Sequence, residues 1–325
     1  MAREGYEFVP LPDEVHREVR PHAVLDRERT DAMGVLLDVR YVAMERVHIG
    51  SGFWNLRGGR ALRAVARSNG RPVIPGSSMK GLIRARYEAI TKSCVGHEPP
   101  KRKVTLDDQL PSRSHPYHQV VLSDAVVRHD VFAQCKPPML CAACALFGRM
   151  SQRGRISVHD LLAPEGAALV DVELPKRFSP RPHHLGHYTV RGETATLVVN
   201  ELRGRKFHVG DAPPSTVEPE YVEAIEPGTI LTGRIICTNV TEAEVGGLLC
   251  ASGISPASSL KIGSAKAYRF GRLEVAGVGR LDVVKRPKGF QENGFVERIR
   301  ESFTRAKDYW KDGEAALLGM HGGAT

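Results

Sequence analysis

Aromatic residues are scarce in this chain: two Trp, eight Tyr and ten Phe among 325 residues, or 6%. So few rings cannot pave a broad binding face. No stretch approaches 18 consecutive apolar residues, and Met1-Ala2-Arg3-Glu4-Gly5 lacks the apolar core of a signal peptide. A cytoplasmic protein is therefore expected, and in that compartment six cysteines read as thiols or metal ligands before disulfides. Acid is missing from one long stretch. No Asp or Glu stands between Glu45 and Glu88, while Arg57, Arg60, Arg63, Arg67 and Arg71 all fall there. The nucleotide-binding spacing G-x-x-x-x-G-K-[ST] is also absent, which excludes a P-loop.

Basic residues are plentiful: 46 Lys plus Arg against 37 acids give a net charge of +9, which favours a polyanionic partner. The most informative segment is Val73-Ile74-Pro75-Gly76-Ser77-Ser78-Met79-Lys80-Gly81-Leu82-Ile83-Arg84. It reads as a strand end, a Pro-Gly turn, two hydroxyl residues able to cap, and an amphipathic helix. A helix N-terminus with a lysine one turn in is an anion site, and phosphate is the commonest biological anion. The five arginines of residues 50–72 read as a loop whose guanidinium forks suit phosphate oxygens.

Ile-Pro-Gly-Ser-Ser-x-Lys-Gly-x-x-Arg resembles the hallmark of the RAMP superfamily, the RNA-binding subunits of CRISPR effector complexes. Three further stretches fit the same family in order: His48-Ile49-Gly50-Ser51-Gly52, Cys141-Ala142-Ala143-Cys144-Ala145-Leu146-Phe147-Gly148, and Ile262-Gly263-Ser264-Ala265-Lys266-Ala267-Tyr268-Arg269-Phe270-Gly271-Arg272. The resemblance spans roughly residues 35 to 275. It implies a subunit of a type III CRISPR ribonucleoprotein, a backbone or backbone-capping subunit of Csm or Cmr type. Its partners would be CRISPR guide RNA, complementary target RNA and other effector subunits, with no membrane.

Strand–helix–strand, repeated, reads as an α+β, ferredoxin-like (RRM-like) antiparallel sheet with two helices. Residues 1–33 read as an N-terminal arm and 34–290 as the RAMP domain. Within that domain the first strand covers 34–48, the first helix 77–92, a cysteine-containing insertion 93–150 and a strong strand 228–238. A helix follows from Thr241-Glu242-Ala243-Glu244 through Cys250. Two β-rich arms, Val172 to Phe178 and Tyr188 to Leu202, flank a Pro/His cluster, and the resemblance implies that 172–210 is a β-hairpin thumb. Residues 291–325 read as a single amphipathic helix, 291–311, and a tail.

Cys135, Cys141 and Cys144 make C-x5-C-x2-C, a spacing that can chelate one tetrahedral ion; three buried thiols are the plainer reading. Cys94 is the best fourth ligand for a structural zinc, with His97, His115 and His118 as alternatives, and Cys237 and Cys250 read as core. The glycine loop can approach a phosphate closely because Gly has no Cβ. Candidate RNA contacts are Ser77, Ser78, Lys80, Arg84, Arg57, Arg60, Arg63, Gly263, Lys266 and Arg269. At the expected thumb tip, Phe178, Pro182, His187 and Tyr188 are suited to wedging between nucleotides, and His183, His184 and His187 allow acid–base chemistry as a lesser reading.

The resemblance bears on catalysis too. Target-cutting subunits of this family carry an essential aspartate about fifteen residues before the motif's proline, and counting back from Pro75 lands on Arg60. The resemblance thus implies a subunit that grips RNA without cutting it. The alternative is an endoribonuclease, metal-dependent on target RNA or maturing precursor guide RNA, in which Asp107, Asp108 or Asp124 supplies the carboxylate.

Overall fold

Strict alternation organises the central strand, Met33–Ala43. Met33, Val35, Leu37, Val39, Tyr41 and Ala43 are buried on one face, while Leu36, Asp38, Arg40 and Val42 point to the other. The computed structural model describes residues 5–20, 32–95, 103–105, 119–150, 152–174, 186–191, 196–212 and 220–321. Met33–Ala43 pairs antiparallel with Arg272–Lys285 on one side and Ile230–Val240 on the other. Ile156–Val158 then pairs antiparallel with Ile230–Val240. These strands belong to an eight-stranded sheet completed by Leu260–Lys261, Leu161–Leu162, Arg71–Ile74 and Arg67–Ser68. The chain is mixed α+β and strand-dominated.

Helix Gly76–Ala89 follows the Pro-Gly turn, and Glu242–Ala251 follows Ile230–Val240. Both lie over the buried face: Tyr41 donates its hydroxyl to the Ser252 carbonyl (2.9 Å), and Arg86 donates to the Ala251 carbonyl (2.8 Å). Thr241 caps the second helix in a reciprocal box, its hydroxyl accepting the Glu244 N–H while Glu244 accepts the Thr241 N–H.

Residues 50–72 are not a loop. They form Gly50–Arg57 and Arg60–Val65, joined at Gly58-Gly59, then Arg67–Ser68 and Arg71–Ile74, joined at Asn69-Gly70. All four turn residues have positive φ, as the tightest hairpin turns require. The first hairpin extends into a four-stranded sheet through Glu220–Ile225 to Leu169–Leu174.

The expected thumb divides differently. Leu169–Leu174 pairs with Glu220–Ile225, while Gly186–Arg191 and Thr196–Leu202 make their own hairpin. That hairpin joins the insertion strands Gln119–Leu122 and Lys103–Thr105 over a small core of Val120, Leu122, Val126, Leu197 and Val199. Gln119–Leu122, in parallel pairing with Thr196–Val199, takes the place of the first expected arm.

The single C-terminal helix is two, Phe295–Arg305 and Lys311–His321. Between them Asp308 accepts from Arg20 at 2.6 and 2.5 Å, and Trp310 N–H donates to the Ile90 carbonyl (3.0 Å). The chain turns there to dock on the end of the first helix. The N-terminal arm is docked as well. Tyr6–Val9 pairs with Arg205–His208, Glu18–Val19 pairs with Met139–Leu140, and Arg17 grips the Asp130 carboxylate at 2.9 and 2.8 Å. Among the described residues, no helix is long and apolar enough to cross a membrane.

Candidate nucleic-acid interface and metal centre

The Pro-Gly turn brings the first helix against strand Ile156–Val158 so closely that a Cβ on Gly76 would lie 2.1 Å from the Val158 carbonyl oxygen. Neither Ser77 nor Ser78 caps the helix. Its first N–H, on Gly76, donates to the Asp160 carboxylate at 2.7 Å, so one of the chain's own acids occupies the anion position. Lys80 and Arg84 lie on the helix face turned toward this packing. Lys80 donates to the Ile156 carbonyl (3.0 Å); Arg84 donates to Glu88 (2.8 Å) and to the Gly148 carbonyl (3.0 Å). Burial, then Arg84 and Arg153, hold the Lys80 ammonium below the usual lysine range.

A different face of this helix meets the glycine loop. Ser78, Gly81, Leu82, Ala85 and Arg86 form one wall of a cleft of about 410 Å³, and Ile262, Gly263 and Lys266 form another. Lys206, Phe207, His208, Lys261 and His321 complete it. Gly263 (φ +84°) is required by the loop's own packing, since a Cβ there would meet the His48 carbonyl oxygen at 2.4 Å. Ser264 N–H donates to that same carbonyl, and Gly271 N–H to the Arg46 carbonyl, so the loop is pinned to the segment after the central strand. Lys261 donates to Glu45 at 2.6 Å, and Lys206 stands over the Tyr6 ring at 3.6 Å.

The cleft is electropositive. Burial, then Lys266 and Lys206, push the His208 pKa down to about 4; burial, then Arg86 and Lys261, push His321 down to about 3. Both imidazoles stay neutral in the folded chain well below the ordinary value of 6.5. The unfolded chain takes up these protons first, so stability is expected to fall as pH drops from about 6.5 toward 4, by on the order of a few kcal/mol. Melting curves across that range check it. His321→Gln should flatten the decline, and an equally steep decline in that variant would contradict the assignment.

The arginines of the first hairpins meet acids from elsewhere in the chain. Glu223 is fully buried and accepts from Arg57 (3.0 Å), Arg67 (2.9 Å), Asn55 (2.9 Å) and the Val65 N–H (3.1 Å). Arg57 also reaches Asp171, Arg63 pairs with Glu220 at 3.2 Å, and Arg71 donates to the Ala163 carbonyl. Arg60 lies over the Tyr221 ring at 4.9 Å, and Arg269 is exposed on the glycine loop. His187 and Tyr188 sit in strand Gly186–Arg191, opposite Glu201 and Val199. Phe178, Pro182, His183, His184, His97, His115, His118, Asp107 and Asp108 lie outside the described residues.

Cys94, Cys135, Cys141 and Cys144 converge, all buried, their sulfurs within 4.8 Å of one another. Cys94 lies 3.7 Å from Cys141, 3.5 Å from Cys144 and 3.8 Å from Cys135, far beyond disulfide length. Four thiolates bound tetrahedrally at about 2.3 Å stand about 3.8 Å apart, so the cluster could hold a metal ion. Cys141 precedes the short helix Ala142–Phe147, and its N–H donates to the Cys135 sulfur at 3.3 Å. Hydrogen bonds with Cys141, Cys144 and Cys94 hold Cys135 well below the ordinary thiol range. Arg17 beside Cys135, and Arg84 beside Cys144 and Cys94, are close enough to oppose negative charge on the sulfurs. Cys237 and Cys250 are buried elsewhere, in a strand and a helix.

The cleft therefore joins Ser78, Gly263 and Lys266, which the sequence marked, to Lys206, His208, Lys261 and His321, which it did not. The dense basic run Arg203-Gly204-Arg205-Lys206-Phe207-His208 was the available signal. The RAMP superfamily model matches residues 40–274. No curated protein matches the chain. Among solved structures, a chain in the cryo-EM structure of the Type III-B Cmr-beta bound to cognate target RNA is similar at 14% identity and a TM-score of 0.39. The match covers 77% of this chain and 61% of that one, so this chain spans less than two thirds of its length.

Proposed function

The chain belongs to the RAMP superfamily, and on that footing we propose that it is an RNA-gripping structural subunit of a type III CRISPR ribonucleoprotein. The observation that carries this reading is the electropositive cleft between helix Gly76–Ala89 and the glycine loop, with Lys206, Lys261 and Lys266 around it. Lys206 and Lys266 offer point charges to phosphate oxygens and Ser78 a neutral hydroxyl, while Lys261 is held on Glu45 and the Tyr268 and Phe270 carbonyls. Guide RNA is the strand held, complementary target RNA pairs with it, and other RAMP and effector subunits continue the assembly.

The strand order Arg272–Lys285, Met33–Ala43, Ile230–Val240, Ile156–Val158, with a helix after the first and third strands in sequence, supports a ferredoxin-like core. Hairpin Gly186–Arg191/Thr196–Leu202 takes the thumb's part, with His187 and Tyr188 on it. Zinc is the ion the four cysteines suit, a closed four-sulfur site with no open position for chemistry. It would tie the insertion to the end of the first helix. Arg60, at the position of the family's catalytic acid, favours holding RNA over cutting it, because a guanidinium stays protonated and cannot act as a base.

Fluorescence anisotropy of labelled single-stranded RNA with the purified chain tests the reading. Binding is expected to weaken steeply as salt rises, since each neutralised phosphate releases counterion. Affinity that stayed flat from low to high salt would refute it.

A further inference from the structure

Strand Gly50–Arg57 is an edge of its sheet, and it carries apolar side chains into solvent: Phe53 is 76% exposed, Trp54 58% and Leu56 83%. Among the described Phe and Trp residues, Phe53 and Trp54 are the exposed ones. Large exposed rings mark a contact surface. The local geometry narrows what that contact is. Between Gly50 and Trp54 the register shifts against the partner strand, and Phe53 lies in the resulting bulge, its N–H on the Ser51 hydroxyl at 3.2 Å. Trp54 stands directly opposite Arg63, whose guanidinium carbon lies 5.3 Å from the ring centroid, so one face of the indole carries a cation.

The row continues inward. Arg63 pairs with Val222, and Val222 packs in one cluster with Ala265 and Phe270 of the glycine loop. Trp54 thus lies two strand spacings, about 10 Å, from a residue that supports the loop wall of the cleft. On this hairpin Arg57 is met by Asp171 and Glu223 and Arg63 by Glu220, so the strand contributes ring faces more than open charge. Ring faces on a sheet that packs against the loop wall of a lysine-lined cleft are matched to nucleotides, which carry both a flat apolar face and a phosphate.

We propose that Trp54, backed by Arg63, is a base-stacking platform for single-stranded RNA whose phosphates lie in the glycine-loop cleft. The proposal rests on the RNA-gripping reading and adds a base contact to a site otherwise built for the backbone. Phe53, re-aimed by the bulge, offers a second ring beside the first. Stacking is tolerant of sequence because every base has a π-face, which suits a subunit that must accept any guide.

Trp310 is the only other tryptophan, so a Trp310→Phe protein reports the emission of Trp54 alone. If that variant does not fold, subtracting the spectrum of Trp54→Phe from the unaltered protein gives the same signal. Oligouridylate is expected to quench Trp54, and an abasic oligonucleotide of the same length is expected to bind more weakly without quenching. Trp54→Ala should bind oligouridylate about five- to a hundredfold more weakly, with its salt slope unchanged because no charge is removed. Oligouridylate that raises anisotropy while Trp54 emission stays constant, or binds Trp54→Ala as tightly, overturns the platform and leaves the cleft standing. Failure of both oligonucleotides to bind overturns both. Emission that responds to rising protein concentration and not to RNA makes the strand a protein contact, and also overturns the proposal.

Discussion

For the proposed zinc site at Cys94, Cys135, Cys141 and Cys144, stripping the metal or Cys144→Ser is expected to lower the melting transition by about 10 °C or more and to broaden it. Three segments meet at the cluster: Cys94 just past the first helix, Cys135, and the Cys141–Cys144 turn, with 41 residues separating the first two. All four cysteines belong to the main hydrophobic core, not to a peripheral knuckle. Structural zinc contributes apparent energies of about 10–16 kcal/mol in small domains, comparable to the whole stability of an ordinary one. Even half of that would dominate here. Without metal the sulfurs take up protons, leaving buried thiols 3.5 to 3.8 Å from Cys94 with no metal–sulfur bonds tying the three segments together. Elemental analysis of protein purified without chelator should find about one zinc per chain. Zinc-free protein with an unchanged melting curve would contradict the site.

Glu244→Ala is expected to cost about 3–5 kcal/mol. Arg155 is almost wholly buried; it donates to Glu244 through both terminal nitrogens and to the carbonyls of Asn239 (2.6 Å) and Ala145 (3.1 Å). Removing the carboxylate strands that guanidinium and also breaks the capping box with Thr241. Burial by itself would raise the Glu244 pKa, but the charge and hydrogen bonds of Arg155 hold it below the ordinary 4.5. The pair's contribution is therefore complete above about pH 4.5 and is lost as pH falls through the lower folded value. Chemical denaturation at neutral pH should show the full deficit, and the gap between variant and parent should narrow in acid. Replacing both residues together by apolar ones should recover much of the loss. A single variant within 1 kcal/mol of the parent would show that Arg155 finds another partner.

Local pattern made the core elements legible. The strand read over 34–48 is present but ends at Ala43, and the Pro-Gly turn before the first helix and the helix starting at Thr241-Glu242-Ala243-Glu244 sit where the sequence puts them. The four cysteines were legible for the same reason, since metal spacing is partly a local property. What failed was inference from local absence. Residues 46–87 contain no acid, yet the arginines there are met by Glu223, Glu220 and Asp171, more than a hundred residues away along the chain. Lys80 and Arg84 illustrate the same limit on a helix. Their motif position marks the right helix, but its rotation gives the cleft to Ser78 and Gly81 and turns the two cations toward Ile156 and Gly148. Lys206 and His208 were hidden because strand Arg205–His208 pairs with the N-terminal arm, a long-range pairing that no local periodicity announces.

In the proposed function the glycine-loop cleft holds RNA by its phosphates. The most direct measurement is the slope of log affinity against log salt for single-stranded RNA, in the unaltered chain and in the Lys206→Ala/Lys266→Ala double variant. Each lysine–phosphate contact to a single strand contributes about 0.7 to that slope. Weaker binding by the variant and a slope shallower by about 1.4 are expected. Equal slopes, with unchanged affinity, would place the RNA somewhere other than this cleft.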